Sequence, residues 1–422
     1  MTTYQNAGML EERAEKGTGG CFETDSAVVL QRLRTALSGV MAGIPGFVSK
    51  PAELQRALKI DMKLSCKVFK VVSASSTLAA GPHVPGEAAL RTFLKAARKA
   101  GIDEQVVGAA AVAAEDFDRL VARHAGDRSA FDSMVSSRVA ADDAAQITLQ
   151  HRRAAFRAQR HIFGVHAKVQ LHCLILQPAG NPHMLDLAQA CGFLSLRQLR
   201  PDAPLVISRV RTTNDDGSVR KVRREPLDPT PTEATGITLL REFCSQPLPR
   251  LRSVPIAPGI VCGELASNGI GKQAAITCIE GYVVRAAVPR YREEGNRVGA
   301  KPAPVRLPCE ALLLDLLVRE DTFGSLTPKA FTCAEHIGEV PSPVTCEEWQ
   351  RLGPPEAVPY LGKGPSVLYA PDVPRYPEMG QYVFDRLGWD GRRFDVYRLR
   401  VDYPVLPSTV VVQFDLPEAP GT

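Results

Sequence analysis

Two sets of basic residues recur at helical spacing. Lys63, Lys67 and Lys70 stand four and three apart in DMKLSCKVFKVV, and Arg153, Arg157 and Arg160 stand four and three apart in LQHRRAAFRAQRHIFG. On a helix, each set falls along one side. Such a row can neutralise phosphates, and a lysine or arginine at its centre can also reach a guanine edge. Ser65 and Cys66 lie near the same end as the lysines, and small polar residues there allow close approach to a groove. The arginines can hold a phosphate backbone and set register, or pair with Asp142, Asp143 and Glu115 of neighbouring helices. A third basic group, Arg209, Arg211, Arg220, Lys221, Arg223 and Arg224, flanks the turn Asn214-Asp215-Asp216-Gly217 and reads as a hairpin.

The lysines need a scaffold. In SKPAELQRALKIDMKLSCKVFKVV, Ser49 can cap a helix and Pro51 suits its first position. Leu54, Ala57 and Leu58 share a face, Ile60 plugs a joint near Lys59–Asp61, and Asp61 can cap a second helix. Val68, Val71 and Val72 give that helix an inner face, which leaves the lysines outside. A preceding stripe, Leu30, Leu33, Leu37, Val40 and Met41, supplies a third wall.

This arrangement over residues 29–72 resembles the helix-turn-helix of bacterial transcriptional regulators. The resemblance implies a duplex-DNA contact through Lys63, Ser65, Lys67 and Lys70, with Arg153 and Arg157 as further DNA-binding candidates. It also implies a homo-oligomer whose remaining portion dimerises or senses an effector. The competing reading is a helical hairpin whose lysines simply face water.

The rest of the pattern divides the chain. Residues 1–24 read as a flexible tail, 25–164 as an all-α domain, and 165–422 as α+β, with a possible subdivision near the Pro/Thr-rich 225–252. Helices are expected over 86–100, 103–124 and 127–147, then over the basic segment to Gly164; 72–86 reads as loop. VHAKVQLHCLILQP, IVCGELA, AAITCIEGYVVRAAV, FDVYRLRVDY and STVVVQFDL read as strands. HMLDLAQACGF, CEALLLDLLVRE and PEMGQYVFDRLGW read as helices.

With 422 residues, two or three domains are expected. A net charge of +5 permits an anionic partner without demanding one. No segment has signal-peptide or membrane-span composition, so a cytoplasmic protein with no membrane partner is expected. The ten cysteines lack CxxC spacing and mostly sit in apolar runs, which reads as buried free thiols. His161, His166 and His172 lack zinc-site spacing, so no metal and no cofactor is expected. GELASNGIGKQ has the flavour of a phosphate loop, but Ala266 and Gln273 break the P-loop pattern. Glu310 and Asp315 do not form a carboxylate pair, and no nucleophile elbow or HExxH occurs. The leading expectation is a DNA-binding regulator. A structural or assembly protein and an enzyme of unrecognised class are the alternatives.

Overall fold

The computed structural model describes residues 22–45, 48–74, 76–211, 224–228, 237–257, 260–334 and 348–420. The chain divides into two compact units, Met1–Gln150 and His151–Thr422.

The first unit is helical: α1 (Phe22–Ala42), α2 (Pro51–Leu58), α3 (Met62–Val72), α4 (Glu87–Lys99), α5 (Glu104–His124), α6 (Arg128–Ser136) and the beginning of α7 (Ala141–Phe163), within which the division falls. The expected apolar stripe of α1 is buried, and with Leu54, Leu58, Val68, Val71, Phe93, Phe117 and Phe131 it forms one core. Helix α1 begins at Phe22, inside the expected tail, and Glu23 is fixed there by Arg138 at 2.6 Å. Asp25 accepts from His124 at 2.9 Å and so ties α1 to the end of α5. The expected helix over 127–147 is broken instead, into α6 and the start of α7. The loop expected over 72–86 contains a 3-10 turn, Leu78–His83, whose Ala79, Ala80 and Gly81 are buried.

The second unit is built on strands: β1 (Val165–Pro178), β2 (Met184–Gln198), β3 (Val206–Arg211), β4 (Glu225–Pro226), β5 (Leu251–Ala257), β6 (Ile260–Leu265), β7 (Ile276–Pro289), β8 (Val298–Val305), β9 (Cys309–Arg319), β10 (Lys329–Ala334), β11 (Glu356–Ala357), β12 (Tyr360–Lys363), β13 (Phe394–Asp402) and β14 (Ser408–Asp415). Helix α8 (Tyr376–Leu387) lies between β12 and β13 in sequence. The order in the large sheet is β12-β13-β9-β1-β2-β7-β4; β11-β10-β14-β8 and β3-β6-β5 form two others. Among the described residues, the strand pairings are antiparallel except β1 with β9, which is parallel.

Two segments expected as helices are strands. HMLDLAQACGF lies in β2, paired on both sides by β1 and β7. CEALLLDLLVRE forms β9, a central strand buried on both faces. Its Leu312, Leu314, Leu316 and Val318 pack with Ala303, Val305, Val410 and Val412 of the second sheet. Its Leu313 and Leu317 face the other way, among Tyr376, Met379, Val383 and Phe384 of α8. A strand with two buried faces has no polar alternation, so its sequence looks like that of a buried helix. The second arm of the expected hairpin, with Arg220, Lys221 and Arg223, lies outside the described residues, as do 229–236 of the Pro/Thr-rich segment; β3 itself pairs with β6.

One charge sits inside this core. Asp315 of β9 is 0% exposed. Arg398, directly opposite on β13, grips its carboxylate with two bonds of 2.8 and 2.6 Å and donates to the carbonyls of Leu368 and Tyr369, both at 2.8 Å. Burial pushes the Asp315 carboxyl up from its ordinary range, and the guanidinium pulls against that rise. Removing one partner strands a buried charge. Arg398→Met should therefore destabilise the second unit by about 3–5 kcal/mol, and adding Asp315→Leu should recover most of the loss. Both tryptophans, Trp349 and Trp389, belong to this unit, so urea denaturation followed by their fluorescence reads it directly.

The joint between α2 and α3 also carries a local cost. Lys59 closes α2 in the left-handed region, φ 54° and ψ 41°. That region costs a side-chain-bearing residue about 1–2 kcal/mol, part of which a glycine gives back as chain entropy. Lys59→Gly should therefore slow amide hydrogen exchange over residues 51–72 by a few-fold.

Candidate nucleic-acid interface and two pockets

The α2–α3 joint is short. Lys59, buried Ile60 and Asp61 separate the helices. Asp61 Oδ1 accepts from the backbone N–H of Lys63 at 2.7 Å and Leu64 at 3.3 Å, which caps α3. At the start of α2 the cap position is Lys50, and Glu53 Oε2 accepts from the N–H groups of Ser49 and Lys50 at 2.7 and 3.0 Å. The Ser49 N–H holds the Glu53 carboxyl below its ordinary range.

Lys63 and Lys70 are exposed on α3, and Lys67 is half-buried. Burial lowers the Lys67 ammonium from its ordinary range, and Arg128 and Lys63 nearby add to the fall. Ser65 does not join them. It is 0% exposed, and its hydroxyl donates to the Pro51 carbonyl, so it locks α3 to the start of α2 instead of facing a groove. Ala57, expected inside, is exposed.

The charges of this unit are unevenly paired. Arg91, Arg98, Arg119, Arg123, Arg128 and Arg138 each reach a carboxylate. Among the described residues, Lys59, Lys63, Lys67 and Lys70 form no ion pair. Arg32, Lys50, Arg56, Lys95 and Lys99 of the same unit likewise form no ion pair among the described residues, so α3 and its turn carry one part of the unneutralised charge.

Of the carboxylates expected opposite the α7 arginines, the Asp142 side chain lies outside the described residues. Arg152 pairs with Glu356 at 3.0 Å, and Glu115 pairs with Arg119. The guanidinium of Arg153 lies 5.7 Å from the Tyr403 ring centre. Arg157 turns to a second place, a cavity of about 510 Å³ that it lines with Arg160, His161, His166, Arg197 and Lys272. The row Arg153, Arg157 and Arg160 is thus split, with Arg153 at Tyr403 and the other two at this pocket.

A third place was not legible as a site. Strands β1, β2, β7 and β8 contribute His172, Gln189, Cys191, Glu280 and Lys301 to a cavity of about 450 Å³. Lys301 Nζ donates to Gln189 Oε1 at 2.7 Å, Gln189 Nε2 to Cys191 Sγ at 2.9 Å, and the Cys191 thiol to Glu280 Oε1 at 3.0 Å. Burial and the neighbouring Glu280 push the Cys191 thiol well up, so it stays protonated and is a poor nucleophile. Burial brings His172 down to about 3, and it lowers the Lys301 ammonium against the pull of Cys191 and Glu280. Glu280 Oε2, Gln170 Oε1, His172 Nδ1 and Ser208 Oγ line this cavity and are buried without a partner. Orphan groups of this kind call for water or a ligand. Gly192 makes the wall possible: a Cβ there would sit 2.0 Å from the Cys278 carbonyl oxygen. Arg224, from the expected basic hairpin, lies 4.4 Å over the Tyr282 ring at the same cavity.

Most described thiols are free and buried, with Cys66 half-buried. Cys333 departs from the expectation of free thiols throughout, because it is disulfide-bonded. Among the described residues no cluster of three or more metal-ligating side chains occurs, and no helix is long and apolar enough to cross a membrane. No protein-family model, curated protein or solved structure matches the chain.

Iodoacetamide at pH 8 should modify Cys66 well before Cys173 or Cys191, whose thiols burial shields and holds high, to about 12 for Cys173. Peptide mapping after timed quenching reads this order; early labelling of Cys191 would show the polar cavity to be open to reagent.

Proposed function

We propose that the chain is a DNA-binding regulator that contacts duplex DNA through the outer side of α3. The observation that carries this reading is the run of cations Lys59, Lys63, Lys67 and Lys70 along α3 and its turn, none of which forms an ion pair among the described residues. The short α2–α3 joint and the exposure of Lys63 and Lys70 support it. Ser65 is no longer part of the contact, because it bonds inward. Arg153 and Arg157 belong to the second unit and are engaged at Tyr403 and at the basic pocket.

A second reading, small-molecule sensing by the second unit, is favoured by one observation: four orphan buried polar atoms line the 450 Å³ cavity. That volume suits a small ligand. It is compatible with the first reading, since regulators couple a ligand to a DNA contact.

Titration of the full chain against random duplex DNA at several salt concentrations tests the DNA contact. Each phosphate contact releases counterion, so replacing Lys63, Lys67 and Lys70 by alanine should flatten the slope of log affinity on log salt by up to about 3. Folding should be nearly unchanged, since Lys63 and Lys70 are exposed and the half-buried Lys67 forms no ion pair among the described residues. An absence of binding at low salt, or a triple variant that binds like the parent, would exclude the DNA contact.

A further inference from the structure

The basic pocket of the second unit has a composition that a solvated surface does not need. Arg157 and Arg160 of α7, Arg197 of β2 and Lys272 of the β6–β7 loop bring four permanent cations to one cavity, and no carboxylate lines it. Among the described residues, none of the four forms an ion pair. Like charges held this close repel one another unless an anion sits between them.

The walls are built rather than incidental. His166 is 4% exposed, pairs across the sheet with Arg197, and packs its ring edge-on to Phe156 at 5.8 Å. Its Nδ1 and the Nε of Arg197 are both buried without a partner. The loop carrying Lys272 is pinned: Gly271 N–H donates to the Gln198 carbonyl at 2.8 Å, and Ser267 bonds the Gln198 side chain. Gln198 in turn donates to the Ala203 carbonyl at 2.7 Å. Burial lowers His166 to about 4, and Arg197 and Arg160 add to that fall, an independent sign of the positive field.

We propose that this pocket binds a ligand bearing two or more linked phosphates. Four positive charges exceed what one phosphate neutralises and suit a diphosphate or triphosphate. The arginine forks, with the orphan Arg197 Nε–H among them, supply directed donors to phosphate oxygens. Lys272 lies in GELASNGIGKQ, which fails as a P-loop; it acts here as a lone cation on a pinned loop, without a cradle of backbone amides. The site belongs to the second unit and does not depend on α3 reading DNA.

Calorimetric titration of the full chain with sodium pyrophosphate at low salt should show saturable binding, with orthophosphate and sulfate weaker. Arg197→Gln should weaken pyrophosphate by about tenfold or more, the scale of one lost charge-assisted bond. Lys272→Gln should weaken it by several-fold, and its exposed position leaves folding unaffected if Arg197→Gln proves unstable. Alanine at Lys63, Lys67 and Lys70 should leave pyrophosphate binding unchanged, which separates this site from the DNA contact. Tighter binding of ATP than of pyrophosphate would assign the phosphates to a nucleotide, and equal affinity to a bare polyphosphate. No saturable binding at millimolar pyrophosphate, or equal binding by the parent and a folded Lys272→Gln variant, would overturn the proposal.

Discussion

The second unit is organised around a buried ion pair. Asp315 and Arg398 face one another across β9 and β13, and the same guanidinium holds the carbonyls of Leu368 and Tyr369. A carboxylate taken out of water is tolerable only when its partner and its remaining lone pairs are satisfied in fixed geometry. The requirement sets register: a slip of β13 by one residue would turn Arg398 to the opposite face and leave Asp315 alone. It also fixes the approach of the segment before α8, whose Tyr376 ring lies 5.5 Å from the guanidinium. The apolar packing on both faces of β9 can then be dense without being slippery.

The first unit solves a different problem with local means. Its core is continuous, yet the α2–α3 joint must turn within three residues. Asp61 caps, Ile60 fills, and Ser65 ties α3 back to Pro51, so the cost of the left-handed Lys59 is met by bonds and burial around it. The result leaves lysines outward by exclusion: every inward position of α3 is already taken by Leu64, Ser65, Val68 or Val71.

What could be read in the sequence follows from the same physics. Amphipathic helices such as α1 and α4 and half-buried strands such as β13 announced themselves by period. β9 did not, because apolar residues occupy both faces. β2 did not, because Leu, Ala and Gln favour helix locally while two flanking strands decide the matter from far away in sequence. The lysines of α3 were legible, but the inward turn of Ser65 was not, since its partner is a backbone carbonyl fourteen residues earlier. The two cavities were invisible for a stronger reason. Their walls come from β1, β2, β7 and β8 in one case and from α7, β1, β2 and the β6–β7 loop in the other, and no local spacing links them.

The parallel pairing of β1 with β9 has a kinetic consequence. β1 and β2 can zip as a long hairpin as soon as both exist, but the other edge of β1 waits for β9, with Leu171 paired to Leu313 more than a hundred residues later. Closing so large a loop is slow, and an apolar strand edge stays unpaired in the meantime. β9 in turn has no ion-pair partner until β13 arrives. Assembly of this unit during synthesis is therefore back-loaded: the central strands can be completed only after β9 and β13 have emerged, and the interval before that is when the nascent protein is most exposed to misassociation.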